Sequence, residues 1–194
     1  GSDLYGVRLD RDFKPASESK KLNVNRSGSG WGREDGRLFR LNGILHIMFI
    51  GVVGKRGTTN CCYARLNEQT LEVEDRFFPQ GFKRQSWEKN WQLFDYQGTA
   101  HAVYLMNPWK ILRVEGNKAE FIHEMPFQGK WSGGYMRGGA SPMMHNGEWL
   151  AFFHGKWDNH RKRLPGQSTE CQRRHVYTIG VVTFSPVKPF NILR

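Results

Sequence analysis

Three runs along the chain alternate apolar and polar positions, turn at a glycine and alternate again. Glu34-Asp35-Gly36-Arg37 leads into Leu38-Phe39-Arg40-Leu41, which reaches Asn42-Gly43 and returns as Ile44-Leu45-His46-Ile47-Met48-Phe49. A period of two marks a strand. An Asn-Gly step between two such runs marks a two-residue hairpin, because both turn positions adopt positive φ. Residues 93–104 repeat the shape about Gly98, and residues 142–153 repeat it about Gly147. The three turn glycines stand 55 and 49 residues apart. A period near 50 built from strands is that of a β-propeller blade.

Each of these hairpins precedes a second one: residues 62–66 with 71–73, 111–114 with 119–121, and 177–184 with 190–192. Residues 4–9 and 20–24 read as a hairpin of this second kind with no first hairpin before it. No segment carries a helical period. The pattern therefore predicts an all-β chain, a β-propeller of four-stranded blades forming one domain over 1–194. Residues 1–23 are the outer half of a preceding blade, and 24–76, 77–126 and 127–194 are three full repeats. About three and a half blades fall short of the four to eight that close a ring. The expectation is a segment of a larger ring, or self-association that closes it, since open strand edges invite pairing. Residues 25–32 read as a Gly/Ser-rich connection, 77–87 and 127–135 as structured connections, and 155–174 as the longest stretch without a strand pattern.

Composition narrows the partners. Aromatic residues make up 13% and charged residues 24%, the balance of a globular chain. The formal net charge of +11 suits nucleic acid, an anionic surface, or a phosphate-bearing or acidic substrate. No nucleic-acid-binding motif accompanies the charge, which argues against that partner. No apolar run approaches the roughly 20 residues of a membrane span. Cys61, Cys62 and Cys171 make no disulfide framework. With no signal peptide visible, the expectation is a cytoplasmic protein. Adjacent strand positions face opposite ways, so Cys61 and Cys62 are expected as buried apolar residues rather than ligands of one metal.

Each first hairpin follows a polar cluster: Glu34-Asp35-Gly36-Arg37, then Glu88-Lys89-Asn90-Trp91, then Arg137-Gly138-Gly139-Ala140-Ser141. One such cluster is an ordinary solvated strand start. Three at the same phase of a repeat predict a shared site, because the innermost strand of each blade lines a propeller's axis. Carboxylates and cations around one concave site suit glycosyl transfer, in which a carboxyl protonates the leaving oxygen.

Glu-Asp-x-Arg-Leu-Phe before an Asn-Gly hairpin, Glu-Lys-Asn-Trp before the next, then Asn107-Pro108 and Arg-Gly-Gly-x-Ser-Pro resemble the five-bladed propellers of glycoside hydrolase family 130. That family is mainly β-mannoside phosphorylases, with some hydrolases and related mannosyltransferases. The resemblance covers nearly the whole chain from Leu4, as a segment of a longer protein. It implies an inverting reaction with Asp35 as general acid beside Glu34. Arg37, Lys89 and Arg137 would bind phosphate or sugar hydroxyls, with Glu88, Asn90, Ser141 and His154 as further site residues. Trp91 would offer a sugar a stacking face or belong to the core. Inorganic phosphate is the implied co-substrate, with no other cofactor, and a carbohydrate is the implied partner. Gly36 stands where the family's motif has proline, which loosens the backbone between acid and arginine. A hydrolase would need a base, for which Glu34, Glu88, Glu148 and Glu170 are candidates. Two other classes fit the same residues: a carbohydrate-binding or assembly propeller without catalysis, and a polyanion-binding module using the basic stretch 161–174.

Overall fold

The computed structural model describes residues 3–24, 33–52, 59–85, 87–158 and 175–194. These residues form fourteen strands and no helix. β1 (Tyr5–Gly6) and β2 (Lys20–Lys21) make a small hairpin. β3 (Arg33–Leu41), β4 (Ile44–Val52), β5 (Thr59–Leu66) and β6 (Val73–Phe77) form a first antiparallel sheet in chain order. β7 (Gln92–Tyr96), β8 (Thr99–Leu105), β9 (Trp109–Glu115) and β10 (Lys118–Met125) form a second in the same way.

The third sheet departs from the pattern. β11 (Tyr135–Gly138) and β12 (Met143–His145) both pair with the same side of β13 (Glu148–Asp158), as two halves of one interrupted strand. β14 (His175–Phe184) lies on the other side of β13. The chain end extends this sheet through Leu193 N donating to Thr183 O at 2.9 Å and Ser185 N to Asn191 O at 2.8 Å.

The three hairpins turn where the glycines place them. Asn42-Gly43, Gln97-Gly98 and Asn146-Gly147 all carry positive φ at both positions, at 51° and 74°, 52° and 78°, and 49° and 78°. This geometry matches the right-handed twist of the strands it joins. Two expectations on strand extent are corrected. The regular part of the first hairpin shrinks to β1 and β2, with a single further bridge between Leu9 and Pro15. In the other direction, residues 155–158 belong to β13, where Gly155 to Asp158 pair with Thr178 to His175. Gly-Lys-Trp-Asp has no apolar alternation, and its partner strand recruits it through backbone hydrogen bonds. The basic stretch, Cys171 and Glu170 lie outside the described residues, as does the 25–32 connection.

The first and second sheets use both faces of their central strands. Phe39, Met48, Cys61 and Tyr63 of the first sheet pack against Leu93, Ala102 and Leu112 of the second, with Trp91 from its lead-in. Phe94, Val103 and Ile111, from the opposite face of the second sheet, meet Ala151, Phe153, Val182 and Phe184 of the third. The small hairpin brings Leu22, with Leu4 beside it, onto Ile47, Cys62 and Ala64. Consecutive sheets thus stack face to face in chain order. Cys61 and Cys62 enter different layers, as the alternation requires. Among the described residues, no helix is long and apolar enough to cross a membrane.

His46 and His101 occupy one position of the repeat, each three residues after its turn glycine, where the third sheet has Leu150. Both are buried. Each Nδ1–H donates to the carbonyl two residues earlier, Ile44 O at 3.0 Å and Thr99 O at 2.9 Å. Burial lowers the pKa of both rings below the ordinary 6.5. Just below 6.5 the unfolded chain takes up protons that the folded chain refuses, so this contribution to stability is complete above that value and is lost as pH falls through it. The thermal midpoint should therefore drop between about pH 7.5 and about pH 5.5. His101→Leu, which copies the third sheet, should flatten that dependence; an unchanged slope would show that His101 is not its source.

Candidate functional site

The residues that bring the three polar clusters together come from three different sheets. Asp35, Gly36 and Arg37 of β3, Lys89 and Asn90 just before β7, Arg137 of β11, His154 of β13 and Tyr177 of β14 line one open cavity of about 370 Å³. A second cavity of about 250 Å³ shares Lys89, Asn90 and Arg137 with it. Its walls include Tyr104, Met106, Trp87 and Tyr135. The two form one cleft with a charged end and an aromatic end.

A β-bulge presents Asp35. Glu34 pairs with Ile50 and Arg37 with Met48, so Asp35 and Gly36 together oppose Phe49 alone. The extra residue bends the strand and re-aims the side chains beside it. Asp35 takes φ +57°, in the left-handed region that aspartate tolerates better than most residues. Asn90, across the cavity, takes φ +65°. Sparsely populated backbone of this kind concentrates at binding and catalytic sites.

Arg37 is not locked to Asp35. Its Nη1 donates to Trp91 O and its Nη2 to Asn90 Oδ1, both at 3.0 Å. The guanidinium therefore ties the first sheet to the segment leading into the second. Burial lowers its pKa and the nearby Asp35 charge partly offsets this, while arginine remains charged at neutral pH in any such setting. Lys89 Nζ is ion-paired with Glu34 Oε1, both partly exposed, so Glu34 acts on the cavity's rim through lysine. Arg137 sits opposite His154 in register and lies over the Tyr135 ring at 5.5 Å. The His154 ring is 5.9 Å from that of Tyr177. Partial burial lowers the His154 pKa, and Arg37 and Arg137 lower it further against the pull of Asp35. The imidazole is thus a neutral hydrogen-bonding group at neutral pH.

Glu88, Trp91 and Ser141 do not line the cavity, and Glu34 bears on it only through Lys89. Glu88 is buried, and its carboxylate accepts hydrogen bonds from Gln85 N at 2.6 Å, Trp91 Nε1 at 3.0 Å and Tyr104 OH at 3.0 Å. Burial raises its pKa in spite of these donors. Its work is to anchor the segment that carries Lys89 and Asn90. Trp91 belongs to the core and offers no stacking face. The Ser141 hydroxyl is buried, without a hydrogen-bond partner among the described residues, in the gap between β11 and β12.

Four contributors were not visible in the alternation. Tyr177 and Tyr135 lie on strands whose apolar pattern gives no reason to single them out. Trp87 is 65% exposed, which is unusual for tryptophan, but its exposure is not readable from its neighbours. Gln92 is buried and spans the strand break, its Nε2 donating to Ala140 O at 2.7 Å and Phe152 O at 2.8 Å. Gly138 completes the frame. A Cβ on it would stand 2.2 Å from Asn90 O, so only glycine allows β11 to approach that backbone.

Among the described residues, no group of three or more His, Cys, Asp or Glu side chains is placed to hold a metal ion. Compared with known proteins, the chain matches no family model and no curated protein sequence.

Two substitutions test this frame. Glu88→Gln turns an amide NH2 toward donors that need an acceptor, and should cost about 1–3 kcal/mol in urea unfolding. Gly138→Ala should lower the thermal midpoint by several degrees, each 1 kcal/mol being worth about 2–4 °C in a chain of this size. A wild-type midpoint in Gly138→Ala would mean that the close approach to Asn90 is not required.

Proposed function

We propose that this chain is a partial β-propeller acting on β-mannoside-type glycosidic bonds by inverting phosphorolysis, with Asp35 as general acid. Three four-stranded sheets stacked in chain order, each delivering cavity residues from its first strand or the segment just before it, support the propeller reading. The three blades would be 24–76, 77–126 and 127–194, with 1–23 belonging to a preceding one. The motif resemblance to glycoside hydrolase family 130 supplies the sugar.

The observation that carries the reaction type is the composition of the cavity: one carboxylate, Asp35, among three cations, Arg37, Lys89 and Arg137. A hydrolase needs a second carboxylate to activate water, whereas a phosphorylase needs cations for a phosphate nucleophile. Among the described residues, Glu88 is taken up by its buried network, Glu34 by Lys89 and Glu148 by Arg194, which leaves the described lining without a second carboxylate to act as base; Glu170 lies outside the described residues. Arginine suits bidentate phosphate binding, and lysine adds a point charge. A phosphate oxygen attacks the anomeric carbon as the glycosidic C–O bond breaks. The Asp35 proton passes to the leaving oxygen, and the product is a sugar 1-phosphate of inverted configuration. The exposed rings of Trp87 and Tyr135 at the other end of the cleft suit the apolar faces of the leaving sugar.

The test is release of sugar from a panel of β-mannosides with and without inorganic phosphate. Phosphate-dependent formation of a sugar 1-phosphate is expected, and phosphate-independent release would overturn phosphorolysis in favour of hydrolysis. Asp35→Asn should reduce turnover by about 10²–10⁴-fold with sugar affinity retained. Unchanged turnover in that variant would remove Asp35 from the role. No turnover in the wild-type chain, with mannoside binding retained, would replace the enzyme reading with a carbohydrate-binding module.

A further inference from the structure

The cleft does not stop at the rings of Trp87 and Tyr135. A third cavity, of about 230 Å³, has Asn107, Phe127, Trp131, Tyr135 and Met136 among its walls. Tyr135 and Met136 also line the cavity of Trp87 and Tyr104. Arg137, two residues further along β11, borders that cavity and the charged one beyond it. β11 is thus the common wall of three cavities in a row.

The third cavity is built rather than incidental. Residues 127–134 lead into β11 without regular structure, yet the segment is fastened to the third sheet. Thr178 Oγ1 donates to Gly133 O at 2.6 Å and Trp131 Nε1 to Gly134 O at 2.9 Å. A Cβ on Gly155 would stand 1.9 Å from Gly133 O, so glycine at that position lets β13 come against the segment. The Trp131 ring meets Phe153 edge-on at 4.8 Å, and Phe127 packs on the same core. Both rings are half-buried, held from behind with part of their surface left to the cavity. Asn107, exposed in the turn between β8 and β9, adds an amide that donates and accepts. Among the described residues, no charged side chain lines this cavity, in contrast to the other two. Fixed aromatic rings with a few polar groups and no charge suit a neutral sugar. Rings held in advance also lose little freedom on binding.

We propose that this third cavity is a subsite for a further sugar of the leaving group, so that the cleft takes an oligosaccharide of at least three units. The inference rests on the glycoside reading above. The sugar whose bond breaks lies by Asp35, the next lies at Trp87 and Tyr135, and a third reaches Phe127 and Trp131. Phe127 and Asn107 then determine specificity for chain length, at a distance from the breaking bond.

Calorimetric titration of the full chain in phosphate-free buffer, with β-linked manno-oligosaccharides of two, three and four units, reads the inference out. The third unit should tighten binding by about tenfold and the fourth by no more than about twofold. Phe127→Leu keeps an apolar contact with the core and removes the ring face. Asn107→Ala removes the amide from an exposed position. Either change should abolish most of the gain on the third unit and leave disaccharide affinity within about twofold of wild type. Rates of phosphorolysis of the same sugars separate the subsite from the reaction. Equal affinity for two and three units, with the disaccharide phosphorolysed, would overturn the subsite and leave phosphorolysis standing. A third-unit gain that persists in both variants would likewise overturn it. Length-dependent binding without turnover would support the subsite and replace the enzyme reading with a binding module. No binding of any of these sugars would remove the glycoside reading and the subsite with it. Unchanged near-ultraviolet circular dichroism establishes that each variant is folded, and Asn107→Ala alone decides if Phe127→Leu is not.

Discussion

The cleft depends on a close approach between two backbones. Gly138 at the end of β11 stands where any side chain would strike the Asn90 carbonyl. The approach puts Arg137 and Asn90 on one wall, and Arg37 then reaches across from the first sheet to Asn90 Oδ1 and Trp91 O. Three sheets meet at this point through one missing Cβ and one guanidinium. The surrounding polar groups are spent on holding that geometry: Glu88 anchors the segment before Asn90, and Gln92 spans the gap after Gly138. Buried polar networks are costly when partly satisfied and rigidifying when complete. The Glu88 network is complete, with three donors on one carboxylate.

The same economy governs the layers. A strand buried on both faces usually reads as a continuous apolar run. These strands instead alternate large residues with small or polar ones, such as Phe94 beside Asp95 and Ala102 beside Val103. Two different layers share one strand, and each layer takes every second position. His46 and His101 sit inside this scheme as polar side chains closed on their own turn carbonyls. They occupy core volume with Nδ1 satisfied, while His101 Nε2 is buried without a hydrogen-bond partner among the described residues, at a cost in desolvation.

The features legible in the sequence were those set by local chemistry. Asn42-Gly43 and Asn146-Gly147 demand positive φ, and they fixed hairpin positions and the phase of the repeat. Asp35, Arg37, Lys89, Asn90 and Arg137 line one cavity, in keeping with the shared phase of their clusters, whereas Glu88 and Ser141 of the same clusters do not, and His154 lies outside that phase. Illegible features were those decided by partners distant in sequence. Nothing in Glu88-Lys89-Asn90-Trp91 distinguishes a glutamate aimed at solvent from one aimed at Trp91 and Tyr104. The extension of β13 to Asp158 comes from pairing with β14 rather than from its own residues. The bulge at Asp35-Gly36 adds one residue to a strand that reads as regular, and only the register opposite Phe49 reveals it.

The paired cysteines of β5 have a kinetic consequence. Cys61 faces the layer shared with the second sheet and Cys62 the layer shared with the small hairpin. Burial raises both thiol pKa values, that of Cys62 to about 12, so neither forms thiolate in the closed molecule at neutral pH. Alkylation at either sulfur therefore waits for its own layer to part. Two adjacent residues on one strand become separate clocks: Cys62 times departure of the hairpin, and Cys61 times separation of the first two sheets. Their relative labelling rates would order the opening of the stack without any probe being introduced.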